Sequence, residues 1–574
     1  MPVSITLGCK IRFMSRSFLA AGLALCIGLG ITATAQTPRQ PSISQDDLRT
    51  WLTYIASDEL QGRLVYTEGI GLAAAYIADH LKEWGVKAAG DHGTYFQEGR
   101  VLGVRTKSNS SVTVTVNGQS RTFKDGEGVT FPRNQGAKQT VSGQAAFAGY
   151  GLTFAPLQQD DYAHRTVSGK VAIFLGRTGP KGFTAAHNRI LNGRGRVAVD
   201  TQHAVATITQ VVPNVPPVTN VPAAQRVDFQ TAQRLDAQLP PQITASDDFF
   251  TFLFSASGID YATLRAAAEK QEPLPDVALS GISITINVDA TYDVIQTRLT
   301  RNVVGLIEGS DSSLKDTYVL MGAHYDHIGY EQFAFGDRRN AIASCAGQSR
   351  PTPRPGDIIN NGADDDGSGT VTLMALAKAF ARGPRMKRSV LLVWHTSEEG
   401  GLTGSRFMAD HPIVPLEKVS AQLNIDMVGR NRCDDPKEAN TVYVVGSDRI
   451  STELHNVNED SNAALPSPLT LNYELNDPSD LESIYTRSDH YSYASKGVPI
   501  IFFTTGLHRD YHYVTDEVDK IEFPKMARIT ALVYGTAARL ANLDHQPRRD
   551  NLGPRVGKGQ SGRLEDVRRQ SQGQ

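Results

Sequence analysis

Residues 317–326, TYVLMGAHYD, and residues 389–399, SVLLVWHTSEE, decide how this chain is read. Each is a near-continuous apolar run of strand length that ends in histidine or carboxylate. A strand that is apolar at every position, rather than every second one, belongs in a sheet covered on both faces. Between the two runs, TVTLMALAKAFAR (370–382) carries apolar residues at helical spacing, and SAQLNIDMVG (420–429) and VPIIFFTTG (498–506) repeat the strand pattern. Strands alternating with helices predict an α/β domain from about residue 291 onward.

The polar residues gather where those runs stop, the usual ligand position in an open α/β sheet. His324 closes the first run, with Asp326 two residues on. GADDDGSG (362–369) sets Asp364, Asp365 and Asp366 against the start of a helix. Glu398 and Glu399 follow the second run, Asp426 follows the third, and Tyr511-His512-Tyr513 lies in a polar loop with Asp516. Buried carboxylates repel one another unless cations offset them, and two divalent ions do so efficiently. Imidazole and carboxylate donors with no thiolate suit Zn²⁺ in an open site. Two such ions sharing one carboxylate would activate a water and polarise a carbonyl, with one of two adjacent acids free to act as base.

In this order HxD (324–326), GADDDGSG, SEEGGLTGS (397–405), NIDMVGR (424–430) and YHYVTDEVDKI (511–521) resemble the M28 family of zinc peptidases, the group of bacterial leucyl-type aminopeptidases. The likeness covers most of 45–110 and 290–543. It implies a mixed-sheet, phosphorylase/hydrolase-like α/β fold that holds two Zn²⁺ per chain. His324 and Asp426 would ligate one zinc, Glu399 and His512 the other, and Asp365 would bridge them. Glu398 would be the general base, and Asp326 would orient His324. Arg487 and Tyr511 stand at positions that meet substrate in the family, and Asp365-Asp366 at the position of a cis peptide. GYGLTFAPLQQDDYAHRTVSGKVAIFLGRTGP (149–180) is similar to the start of a protease-associated (PA) domain, a common insert in such peptidases.

The resemblance implies hydrolysis of N-terminal peptide bonds, with peptides bearing a free N-terminus as substrates. A glutamate-releasing carboxypeptidase shares the metal set and is the alternative. A one-zinc glutaminyl cyclase does not need the bridged pair, and a non-catalytic binding module on the same fold would not need all five ligands and the base. His327, His395, His490 and His508 fall at no ligand position, so support or packing is expected of them. Asp364 reads as a helix-start or hydrogen-bonding acid and Asp366 as a supporting one.

Upstream, LRTWLTYIASDEL (48–60) and GIGLAAAYIADHLKEWGV (69–86) read as helices. SVTVTVNGQ (111–119), the Pro-rich VVPNVPPVTNVP (211–222) and ISITINV (282–288) make the middle of the chain β-rich. The expected divisions are 36–110 and 291–545 for the peptidase domain, 111–290 for the PA-like insert, and 546–574 for a polar, Gly-rich disordered tail. At the start, Lys10, Arg12 and Arg16 precede the apolar run Phe18 to Ile31, and Ala33-Thr34-Ala35 supplies small residues at a cleavage site. Residues 1–35 therefore read as a signal peptide cut after Ala35, and the product as exported, periplasmic or secreted. The run is shorter than the roughly 20 residues a bilayer core requires, so no stable membrane insertion is expected after cleavage. The 574 residues are 40% hydrophobic and 21% charged with a formal net charge of -2, ordinary for a soluble enzyme and no pointer to nucleic acid. Cys345 and Cys433 remain after cleavage, either paired or as separate buried thiols.

Overall fold

The computed structural model describes residues 43–210, 227–331, 345, 348–554 and 562–564. The expected signal peptide, 1–35, and the Pro-rich run 211–222 lie outside the described residues. The main sheet has ten strands. Nine of them are β1 (Phe96–Ser108), β2 (Asp228–Thr231), β3 (Ala290–Ile307), β4 (Tyr318–His324), β5 (Ser389–His395), β6 (Val419–Ile425), β7 (Thr441–Val445), β8 (Thr470–Asn472) and β9 (Ile500–Thr504). They lie in the order β2-β1-β3-β5-β4-β6-β9-β7-β8, and Lys87–Ala88 pairs with β3. The centre, β5-β4-β6-β9, is parallel, β3 and β7 join it antiparallel, and β1 pairs antiparallel with β3, which makes the sheet mixed as expected.

The apolar runs are buried on both faces because each face has its own helical layer. Along β4, Val319, Met321 and Ala323 join one core cluster while Leu320 joins another; along β5, Val390, Leu392 and Trp394 oppose Leu391 and Val393. Helices α1 (Gln45–Ile55), α2 (Glu68–Glu83), α3 (Gly369–Arg382) and α6 (Phe523–Asn542) supply the first cluster. Helices α4 (Thr403–Asp410) and α5 (His490–Ala494) contribute Met408 and Tyr493 to the second. Helix α1 shows the local logic: Leu48, Leu52 and Ile55 recur at helical spacing on its buried face, and the Ser44 hydroxyl accepts from the Asp47 amide at 3.1 Å.

The β-rich middle closes into an eight-stranded barrel, from Ser111–Val116 through Ile282–Val288. Every second residue of the first strand, Val112, Val114 and Val116, is buried, and the interior adds Ile173, Ile208, Phe249 and Ile284. The expected boundary at 111–290 departs from the structure in one respect. Strand β2 lies inside that range but leaves the barrel and pairs with β1, Phe229 opposite Gly103, which covers an edge that would otherwise be open. The tail departs too. Among its described residues, the Asn551 amide donates to Ile450 O at 3.0 Å and the Leu564 amide to Asn456 Oδ1 at 2.7 Å. Hydrogen bonds from main-chain amides hold these described residues, and a composition poor in apolar residues does not reveal them. Cys345 and Cys433 form a disulfide, with Cα atoms 5.3 Å apart.

Candidate metal centre

The central strands deliver the polar residues to one place. His324 is the last residue of β4, Glu398 and Glu399 lie in the turn after β5, Asp426 follows β6, and His512 lies in the loop after β9. Asp365 comes from the segment leading into α3. Two glycines let these segments approach. Gly362 has φ +55°, and a Cβ there would lie 2.5 Å from His327 Cδ2; one at Gly369 would lie 2.3 Å from Asp366 Oδ1. The Asp365-Asp366 peptide is cis, as the resemblance implied.

Asp365 divides its two oxygens. Oδ1 lies 3.3 Å from His324 Nε2, which is also 3.7 Å from Asp426 Oδ2 and 4.0 Å from Glu398 Oε2. Oδ2 lies 3.1 Å from His512 Nε2, which is 3.0 Å from Glu399 Oε2. Both oxygens of this buried carboxylate thus face imidazole nitrogens. The donor atoms of His324, Asp365 and Asp426 lie within 4.8 Å of one another, as do those of His327, Asp365 and Glu399. Nitrogen and carboxylate donors in two compact sets that share one acid fit two zinc ions.

Supporting contacts hold the donors. The Asp326 carboxylate accepts from the Glu398 amide at 3.0 Å and the Glu399 amide at 3.3 Å. It stands 3.7 Å from His324 Nδ1, whose nearest oxygen is the Asp326 carbonyl at 3.1 Å, so Asp326 fixes the Glu398-Glu399 turn as much as the imidazole. The Ser488 hydroxyl donates to Asp426 Oδ2 at 2.6 Å. Asp366 is the helix-start acid, accepting from the Gly369 amide at 2.9 Å and the His324 amide at 3.1 Å. Asp364 makes a hydrogen bond from the Gly429 amide at 2.7 Å and faces His508 Nε2 at 3.2 Å. Arg487 donates to the Tyr511 hydroxyl at 3.1 Å and to Glu482 Oε2 at 2.9 Å, and the Tyr511 ring stacks on His512 with centroids 3.9 Å apart.

The sequence reading expected only support or packing of His327 and did not single out Arg63. His327 sits with its Nδ1 2.8 Å from Glu399 Oε1 and 3.8 Å from Asp365 Oδ2, among the donors rather than around them. A second histidine three places after His324 was the available signal. Arg63 is fully buried, and its guanidinium donates to the carbonyls of Ile55, Tyr325, Asn361, Gly362 and Asp365 at 2.7–3.3 Å. It ties the loop after β4 to the segment that carries Asp365.

The charges pull in opposite directions. Burial drives the Glu398 carboxyl well above the usual carboxylate range, against the opposing pull of His324 and with help from Glu399, Asp489 and Asp426. Burial acts on Asp365 the same way, but hydrogen bonds with His324 and His512 outweigh it and hold this carboxyl well below that range. One carboxyl held below the ordinary carboxylate range and one driven above it thus stand beside the same imidazole, 3.3 and 4.0 Å from His324 Nε2.

Residues 302–537 match the profile of Peptidase family M28. The chain is 30% identical over 230 residues to "Leucine aminopeptidase 1" of Ajellomyces dermatitidis, covering 36% of this chain and 57% of that protein. It is 29% identical over 191 residues to "Leucine aminopeptidase 2" of Trichophyton equinum, covering 32% of this chain and 30% of that one. The chain thus spans less than two thirds of the length of these curated relatives. Among solved structures, an aminopeptidase from Aneurinibacillus sp. strain AM-1 aligns over 90% of this chain and 97% of its own, at 16% identity and a TM-score of 0.41.

Proposed function

Residues 302–537 belong to peptidase family M28, and from that premise we propose that the protein is an exported zinc aminopeptidase acting on peptides with a free N-terminus. Asp365 carries the reading: it is a buried carboxylate with one oxygen turned to each of two donor sets. His324 and Asp426 fit one Zn²⁺, His512 and Glu399 a second, and Asp365 is shared. Cations held there would polarise the scissile carbonyl and lower the pKa of the attacking water.

Glu398 lines the open cleft beside the donors. Its carboxyl, raised by burial, accepts the proton of that water and returns it to the leaving amine. Asp326 keeps the main chain of Glu398 in place, and Ser488 keeps Asp426 turned toward His324. Arg487 and the Tyr511 hydroxyl, already bonded to each other, are the donors for the substrate carbonyl. The carboxylates around the centre suit an α-ammonium group, and the aminopeptidase names of the relatives support the same polarity. The barrel stands where a PA insert is expected and walls the cleft. The Cys345–Cys433 disulfide supports an oxidising compartment, periplasmic or secreted.

Aminoacyl-nitroanilide hydrolysis tests the reading. It should stop when a chelator strips the metal and return when zinc is restored. Turnover that persists in chelator would sink the proposal.

A further inference from the structure

A cleft of about 1230 Å³ lies between the barrel and the metal centre, lined by Glu398 and Glu399 from the catalytic turn and by Pro132 and Leu239 from the insert. Three arginines with no part in the metal chemistry line it as well. Arg196 comes from the helix Asn188–Asp200, Arg234 from the short helix Ala232–Leu235, and Arg406 from α4. Among the described residues none of the three forms an ion pair. Arg406 lies within electrostatic range of the other two. Burial and those two like charges, opposed by Asp410, bring its guanidinium down to about 10.

The nearby acids are mostly committed elsewhere. Asp410 pairs with Lys496 at 2.7 Å, Asp200 accepts from the Tyr491 hydroxyl at 2.6 Å, and Asp236 is exposed to solvent. Arg196 rests over the Tyr491 ring at 5.4 Å. Like charges gathered in a concave, partly buried surface raise the free energy of the protein unless an anion enters among them. Guanidinium groups bind planar carboxylates through paired N–H donors, so the anion that fits is a carboxylate.

Building on the aminopeptidase reading, we propose that Arg196, Arg234 and Arg406 form a carboxylate-binding subsite for the portion of the peptide beyond the scissile bond. An acidic side chain or the terminal carboxylate of a short peptide supplies the group. Two of the three cations come from the insert, which gives the barrel a part in choosing substrates.

The test uses the zinc-loaded full chain and pentapeptides whose first peptide bond is replaced by a non-hydrolysable CH₂–NH link. Leu-Ala-Glu-Glu-Ala is compared with Leu-Ala-Ala-Ala-Ala, each with a free or amidated C-terminus, so that side-chain and terminal carboxylates are read separately. The carboxylate-bearing ligand of either arm should bind about tenfold more tightly, roughly one charge-assisted contact. Added salt should shrink the advantage. Arg234→Gln and Arg406→Gln should each reduce it, and Arg234→Glu should shift preference toward a lysine-bearing peptide. The readout is a ratio on one sample, so partly unfolded protein does not alter it. Equal affinity in both arms, or an advantage untouched by either Gln variant, overturns the proposal. Turnover of the ordinary peptides is scored separately. Cleavage without preference fails the subsite and leaves the aminopeptidase reading; preference without cleavage does the reverse.

Discussion

A carboxyl that serves as base must be replaceable without emptying the metal site. Glu398→Gln should keep two zinc ions per chain by metal analysis and lose kcat by ~10²–10⁴-fold; near wild-type turnover would remove Glu398 from the role. A second residue carries a pH signature. His490 Nε2 donates to the Tyr485 carbonyl at 2.7 Å, and its Nδ1 is buried without a partner. A second proton there would have no acceptor, and burial holds the imidazole down to about 3. In the unfolded chain the pKa is about 6.5. Between those values the unfolded state binds more protons, so stability falls as pH drops from about 6.5 toward 3, by up to about 1.4 kcal/mol per pH unit. In urea melts across that range, His490→Phe should show a shallower decline than wild type; parallel curves would rule out the neutral assignment. The residues proposed as ligands and base were legible as candidates: His324, Glu398, Glu399 and Asp426 end or follow apolar strands, while Asp365 and His512 were singled out by the family resemblance. His327 was not, because only the folded loop brings it to Glu399.

Arg63 acts between elements. It lies in the turn between α1 and α2, outside the family match, and its acceptors are carbonyls up to 302 residues away. Main-chain acceptors leave no mark in a sequence, which is why this brace was invisible there. Arg63→Met should remove this donor from those buried carbonyls, of which that of Gly362 keeps a main-chain partner in the Gly367 amide, and leave the neighbouring acids Asp365, Asp366 and Asp326 without their cation. The expected cost is about 3–5 kcal/mol of stability, as for a broken buried pair. Zinc affinity should fall roughly 10–100-fold, as when a partner behind a ligand is lost. Thermal melts and chelator competition measure the two effects, and a variant with unchanged zinc affinity would confine Arg63 to packing. The same limit applies to the barrel. Alternation in 111–116 and 282–288 announced strands, but nothing local told β2 to leave the barrel for the edge of β1.

Over the whole molecule, the helices of residues 45–83 pack into the same core as the family-matched segment, and the barrel faces the metal centre across the cleft. The sequence showed these parts in order, while the shared cleft required the fold. The cleft also sharpens the question of polarity, since it contains both the carboxylates that suit an ammonium and the arginines that suit a carboxylate. A decapeptide with an N-terminal leucine separates the two, being long enough to carry its C-terminus away from the cleft. It is offered to the zinc-loaded protein in four forms, with the N-terminus free or acetylated and the C-terminus free or amidated, and release of leucine or of a C-terminal residue is followed by mass spectrometry. The expected result is release of leucine from both forms with a free N-terminus, none after acetylation, and little change on amidation. Cleavage that survives acetylation and disappears on amidation would contradict the aminopeptidase assignment.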